Sequence, residues 1–488
     1  MPENPPAHDL IIRNALLLDG SGGTPRQADV ALCGERIAAL GAPSTLAPCP
    51  GVPELDATGL ALAPGFIDVH SHDDQAVFQW QTSEAKLSQG VTSVVVGNCG
   101  ISLAPLTLAG APPAPLNLLG ERDRFRFDRF SDYVEALRAT ALPVNVAALV
   151  GHGTLRVRQL DDYGRAADPG EIRAMAREVE AAMEAGAAGL SCGLSYPTNR
   201  GADTGEVIAL ARAAAAHGGR LCMHIRDEYD GVFEAVREAF RCAAGSGAFL
   251  VLSHQKVAGT ANQGRSGELL DLYRSAGAGL PFAIDTYPYT AGSSVLDPVS
   301  VGHSSRVLVA WSQPHPEVQG RTLEQICSDW GCAQAEAIRR LQPAGAVYFH
   351  MAEADVSRFL GWERCMVGSD GLPNDVHPHP RLWGAFARVL GEYARDRGLF
   401  PIQEAVRKMT ALPASVFGLR DRGLVREGAF ADLVLFDPAR VRDRSTYEQP
   451  RLRAEGIVKV FVNGRQAWPK PEGQSGCAGR FLPGGGNR

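Results

Sequence analysis

The sequence predicts an α/β fold, a TIM-like (β/α)8 barrel joined to a small β-sandwich domain built from both chain ends. Three observations predict it. Apolar, strand-like runs alternate with helical stretches through the middle of the chain, which is the pattern of parallel α/β folds. Eight such runs occur, the number that closes this kind of barrel. Both ends instead carry short strands separated by turns, too few at either end to be stable alone.

At the start, Leu10 to Asp19, Ala28 to Leu32 and Arg36 to Leu40 read as strands, with Gly20-Ser-Gly-Gly as a turn. The tail repeats the style in Ala431 to Asp437 and Gly456 to Val462, ahead of the Asn463-Gly464 turn. Pairing them gives a domain of residues 1–62 plus 416–488, with the barrel at 63–415. The barrel runs are 65–70, 93–97, 144–150, 188–191, 220–224, 249–254, 282–285 and 365–370. Helical stretches separate several of them, clearest at 169–187 and 206–217. The stretch of about 295–351 is longer than a usual βα loop and is expected to cover the barrel mouth.

Composition narrows the function. The chain has 488 residues, 45% of them hydrophobic, enough for a large core. A formal net charge of -6 supplies no basic field for nucleic acid or anionic lipid. No stretch approaches the ~20 apolar residues of a membrane helix. The start, Met1-Pro2-Glu3-Asn4, does not resemble a signal peptide. A cytoplasmic protein acting on a small molecule is expected. The ten cysteines include no CxxC pair and are expected to be reduced. Gly151-His-Gly and Gly20-Ser-Gly-Gly lack the Gly-Lys-Ser/Thr ending of a phosphate loop.

Polar residues gather at the C-terminal ends of the apolar runs, where such a barrel places its active site. His70 and His72 follow run one, Cys99 run two, His224 run five, His254 run six and Asp370 run eight. Residues i and i+2 of a strand face the same way, so His70 and His72 can grip one ion together. Imidazole, thiolate and carboxylate are zinc donors. Lys256, two residues beyond His254, would put a cation at the same mouth. His152 is a candidate pocket residue after run three. His8, His217, His303 and His315 read as tail, helix or insertion residues, and His377 and His379 receive no direct chemistry.

Gly65-Phe-Ile-Asp-Val-His-Ser-His resembles the first-strand motif of the amidohydrolase superfamily. Within it, the chain is similar to the D-aminoacylases, the N-acyl-D-amino-acid deacylases. The likeness extends through Gly97-Asn-Cys-Gly, Leu252-Ser-His-Gln-Lys, Asp285-Thr-Tyr-Pro-Tyr, Gly368-Ser-Asp-Gly-Leu-Pro and His379-Pro-Arg-Leu-Trp-Gly. Many superfamily members bridge two metals with a carbamylated lysine after strand four, but no lysine lies between Lys86 and Lys256. The resemblance puts Cys99 in the bridging place. It implies one zinc held tightly by Cys99, His224 and His254, and a weaker second site at His70, His72 and Asp370.

The resemblance further implies hydrolysis of N-acyl-D-amino acids by a metal-activated water, with Asp370 as general base and acid. Lys256, Tyr287 and Arg381 would bind the substrate α-carboxylate, and Tyr196 the scissile carbonyl. The D preference comes wholly from the resemblance. The segment from Tyr287 to Ser305 has no Lys or Arg, so neutral side chains are expected over D-aspartate or D-glutamate. The alternatives are a cyclic amidase of the dihydropyrimidinase kind, against which the missing lysine argues, and a dipeptidase for C-terminal D residues. A catalytically dead scaffold would be expected to have lost ligands, and all six are present.

Overall fold

The computed structural model describes residues 8–484. Eight parallel strands form the barrel: β1 (Phe66–Asp68), β2 (Val91–Val96), β3 (Asn145–Gly151), β4 (Gly189–Gly193), β5 (Arg220–His224), β6 (Phe249–Leu252), β7 (Phe282–Thr286) and β8 (Cys365–Val367). Every neighbouring pair in this order is parallel, β7 with β8 included, which leaves β8 to close back on β1. Closure comes just past the strand ends, in a parallel bridge between Ser71 and Gly371 and a bond from the Asp370 N–H to the His70 carbonyl (2.7 Å). All eight sequence runs are therefore barrel strands.

The strands are buried on both faces, which is why they read as apolar runs without alternation. Ile67, Val69, Val95, Ala147, Leu149, Val251, Ala283 and Met366 share one cluster, which Ala414, Val416, Phe417 and Leu482 join from the tail. A second, larger cluster packs the other side of the strands against the surrounding helices. Those helices carry their own punctuation. Asp168 caps Pro169–Ala185 by accepting from the N–H groups of Gly170 (2.6 Å) and Glu171 (2.9 Å), and Gly186 ends it at φ 106°.

Strands from both chain ends lie in one continuous sheet, with Leu433–Phe436 pairing antiparallel to Ala61–Pro64. Residues of both ends, such as Ile12, Val30, Leu433 and Phe461, share one core. The tail does not stop there: Arg480 and Leu482 bond to the backbone of Val146 in β3. Between β7 and β8, a three-stranded antiparallel sheet, Ala291–Val295, Arg306–Ser312 and Ala344–Phe349, carries its own small core. No described helix is long and apolar enough to cross a membrane.

Candidate metal centre

The strand ends deliver the donors to one place. His70, His72, Cys99 and Asp370 bring ligand atoms within 4.8 Å of one another, and so do Cys99, His224 and His254. Cys99 belongs to both groups. His70 Nε2 lies 3.1 Å from Cys99 Sγ, His254 Nε2 lies 3.3 Å from it, and His72 Nε2 lies 3.2 Å from Asp370 Oδ1. All six residues are buried.

Local backbone shape makes this possible. Cys99 (φ 55°), His254 (φ 33°) and Asp370 (φ 49°) occupy the left-handed region that side-chain-bearing residues rarely adopt. Such conformations concentrate at functional sites held by their surroundings. In Gly97-Asn-Cys-Gly the chain doubles back after β2, and Gly97 (φ 78°) packs so closely on the Leu149 carbonyl that a Cβ there would collide with it.

Electrostatics favour the charged forms of the donors. Burial raises the Cys99 thiol, but the imidazoles of His70 and His254 outweigh it and hold Cys99 well below the usual thiol range. Burial likewise opposes the Asp370 charge, yet Arg381 and His254 keep its carboxyl well below the usual carboxylate range. Arg381 Nη1 lies 2.9 Å from Asp370 Oδ2. Four imidazoles, a thiolate and a carboxylate around one buried point fit zinc by donor chemistry.

Supporting groups stand behind the donors. Asp285 Oδ1, at the end of β7, accepts from the His254 N–H (2.8 Å) and lies 3.2 Å from His70 Nδ1. Glu228 Oε1 lies 3.0 Å from His254 Nδ1 and accepts from Lys256 Nζ (2.6 Å). The Ser195 hydroxyl is 2.7 Å from His224 Nε2. The sequence reading missed these three. Asp285 lies in a quoted motif at the end of a strand, and Glu228 sits four residues after His224, but a lone carboxylate in either place carries no signal of its own.

A cavity of about 500 Å³ opens beside the cluster, lined by His224, His254, Lys256, Tyr196, Tyr287 and Asp370 among others. Lys256 Nζ and the Arg381 guanidinium carbon stand 5.6 and 4.4 Å from the Tyr287 ring centre. The Tyr196 hydroxyl is 3.4 Å from that of Ser294. The sheet between β7 and β8 supplies Gly292, Ser293, Ser294, Val295, Tyr348 and His350 to the wall. His303, read from sequence as a plain insertion residue, also lines the cavity and packs on Tyr229. His152 does not: it begins the helix His152–Gln159 and points to Glu206 (2.7 Å) in a buried ion cluster. The expectation that it lines the pocket is corrected, because the chain turns into a helix straight after β3. His379 accepts from the Arg381 N–H (3.0 Å), which fits the absence of direct chemistry.

A model described as the amidohydrolase family matches residues 54–291 and 334–467. The chain belongs to the amidohydrolase family. The unmatched segment falls within the sheet inserted between β7 and β8. A D-aminoacylase of Alcaligenes xylosoxydans xylosoxydans is 48% identical over 97% of this chain and 97% of its own. A solved D-aminoacylase, described by the one-metal activation and second-metal attenuation of its binuclear centre, has a TM-score of 0.93 at 47% identity, covering 98% of this chain and 100% of that one. An N-acyl-D-glutamate deacylase from Bordetella bronchiseptica, complexed with zinc and a phosphonate inhibitor that mimics the tetrahedral intermediate, has a TM-score of 0.92 at 44% identity, covering 98% and 99%. Within the amidohydrolase family this chain is of the D-aminoacylase kind.

Proposed function

We propose that the protein is a zinc-dependent hydrolase of N-acyl-D-amino acids with neutral side chains, releasing a carboxylate and the free D-amino acid. The observation that carries this reading is the donor cluster centred on Cys99, in a chain similar to D-aminoacylase along nearly its full length. Cys99, His224 and His254 would hold one zinc tightly; His70, His72 and Asp370 would form a weaker second site. One-metal activation and second-metal attenuation in the solved relative support a single working zinc with a second site beside it. Zinc supplies Lewis acidity, lowering the pKa of a water toward ~7 and polarising a carbonyl.

The chain's own residues do the rest. Asp370, held ionised by Arg381 and its histidine neighbours, accepts the water proton at a carboxylate oxygen. It returns that proton to the amine nitrogen as the C–N bond breaks. Lys256, Arg381 and Tyr287 hold the α-carboxylate by charge and hydrogen bonding. Tyr196 donates its hydroxyl to the scissile carbonyl, where negative charge develops.

The cavity wall supports a neutral side chain. Asp227 and Asp297 line it and repel a second anion, with Asp230 at the exposed rim. Arg226 is engaged by Glu238 (2.8 Å), and Arg200 stands at the exposed rim. Ten free thiols suit a reducing compartment, and we place the protein in the cytoplasm.

Zinc-loaded protein tests the reading through amino-acid release from N-acetyl-D-methionine, its L enantiomer, N-acetyl-D-glutamate and glycyl-D-methionine, and through ring opening of dihydrouracil to N-carbamoyl-β-alanine. Fastest release from N-acetyl-D-methionine, with none from the L form, is expected. Turnover of only the cyclic amide or only the dipeptide would overturn it.

A further inference from the structure

One wall of the cavity holds a group that none of the chemistry above employs. His350 follows the strand Ala344–Phe349, lines the cavity, and is 4% exposed. Neither of its ring nitrogens finds a hydrogen-bond partner among the described residues. Leaving two polar atoms of a buried side chain unmatched costs free energy that a packed core would avoid. Its rings of contact are aromatic, with Tyr229 and Tyr348 centred 5.7 and 6.2 Å away.

Gly292 shows where the ring is aimed. A Cβ built at that residue would stand 3.1 Å from His350 Nε2 and 3.4 Å from the Tyr287 hydroxyl. His350 and Tyr287 therefore face a common point, and only the missing side chain of Gly292 leaves it free. Lys256 and Arg381 approach the same Tyr287 ring. A phenol and an imidazole facing one point, with an ammonium and a guanidinium beside the phenol ring, suit a carboxylate.

We infer that His350 is a substrate-positioning residue, donating from Nε2 to the α-carboxylate of the acylated D-amino acid alongside Tyr287. The inference rests on the proposed function and adds a fourth group to the carboxylate site. Burial, with Lys256 next, pushes the His350 imidazole down to about 3, so it is neutral at working pH and acts through one N–H rather than through charge. A neutral donor costs less to bury than a third cation beside Lys256 and Arg381. It also leaves the hand-off of the proton at Asp370 untouched, so its loss belongs in KM rather than in kcat.

The test compares wild type, His350→Ala, His350→Gln and Gly292→Ala, all zinc-loaded, on N-acetyl-D-alanine, N-acetyl-D-leucine and N-acetyl-D-phenylalanine. His350→Ala should raise KM about tenfold (~1.4 kcal/mol) with kcat within about threefold. The factor should be the same for all three substrates, because all three share the carboxylate. His350→Gln keeps an N–H donor and should recover part of the loss. Gly292→Ala keeps both donors but fills the point they face, and should raise KM in the same uniform way. A loss that vanishes for the alanine substrate would assign His350 to the side-chain subsite and overturn the inference. So would an unchanged KM, or a fall in kcat at constant KM. If wild type releases no D-amino acid from any of the three, the proposed function fails first, and the two failures are distinguishable.

Discussion

Asp285 holds His254 and His70 at once, one through a backbone N–H and one through a ring nitrogen. A carboxylate on the far nitrogen of a ligand imidazole fixes its tautomer and aims the other nitrogen at the ion. Asp285→Asn should therefore weaken zinc binding about 10- to 100-fold, measured by competition with a chelating dye; unchanged affinity would show that Asp285 only packs. Glu228 plays the matching part for His254 and also anchors Lys256. At this scale the convergence of His70, His72, Cys99, His224, His254 and Asp370 was legible, because each follows an apolar run. Glu228, Asp285, Ser195 and His350 were not legible, since their roles come from partners brought close only by the closed barrel. The 97-to-100 turn was legible as a motif, but not the left-handed Cys99, whose carbonyl packs on Gly193 of β4 while Gly97 packs on β3.

Among the elements, the helix Thr204–Ala216 is tied to the helix His152–Gln159 by Glu206. Its carboxylate accepts from Arg156 Nη1 at 2.6 and 2.7 Å and from His152 at 2.7 Å, all buried. Burial opposes the charge, but His152 and Arg156 outweigh it and hold Glu206 at about 2, against an ordinary 4.5. A carboxyl with a depressed folded value binds its proton more readily when unfolded. Its stabilisation is complete above the ordinary value and is lost as pH falls towards 2. Denaturant unfolding of metal-free protein should show stability declining through that window, and Glu206→Gln should flatten that part of the curve; an identical slope in the variant would contradict it. At the start of Pro169–Ala185, Asp168→Ala removes the cap and should cost about 1 kcal/mol in the same assay. The helices at 169–187 and 206–217 were legible as helical stretches between apolar runs. His152 was misread because a buried ion cluster and a pocket wall look alike in sequence.

For the molecule as a whole, the barrel was legible because eight buried parallel strands leave eight apolar runs. The pairing of the two chain ends was legible from their shared style, but the last step of the tail was not. Phe481 and Leu482 leave the sheet and pack on the barrel, a contact between residues more than three hundred positions apart. Phe481→Ala with Leu482→Ala removes two buried side chains worth ~1.5–3 kcal/mol each. Thermal melting should shift down with KM unchanged, whereas loss of activity without a stability change would contradict this structural role. The zinc proposed at Cys99, His224 and His254 drives hydrolysis of N-acyl-D-amino acids. The most direct test of that role is to titrate zinc into metal-free protein while following D-methionine release from N-acetyl-D-methionine, beside Cys99→Ala. Activity should rise to its maximum near one zinc per chain, the L substrate should stay inert, and the variant should neither bind the tight zinc nor turn over. Full activity in the zinc-free protein, or in Cys99→Ala, would contradict it.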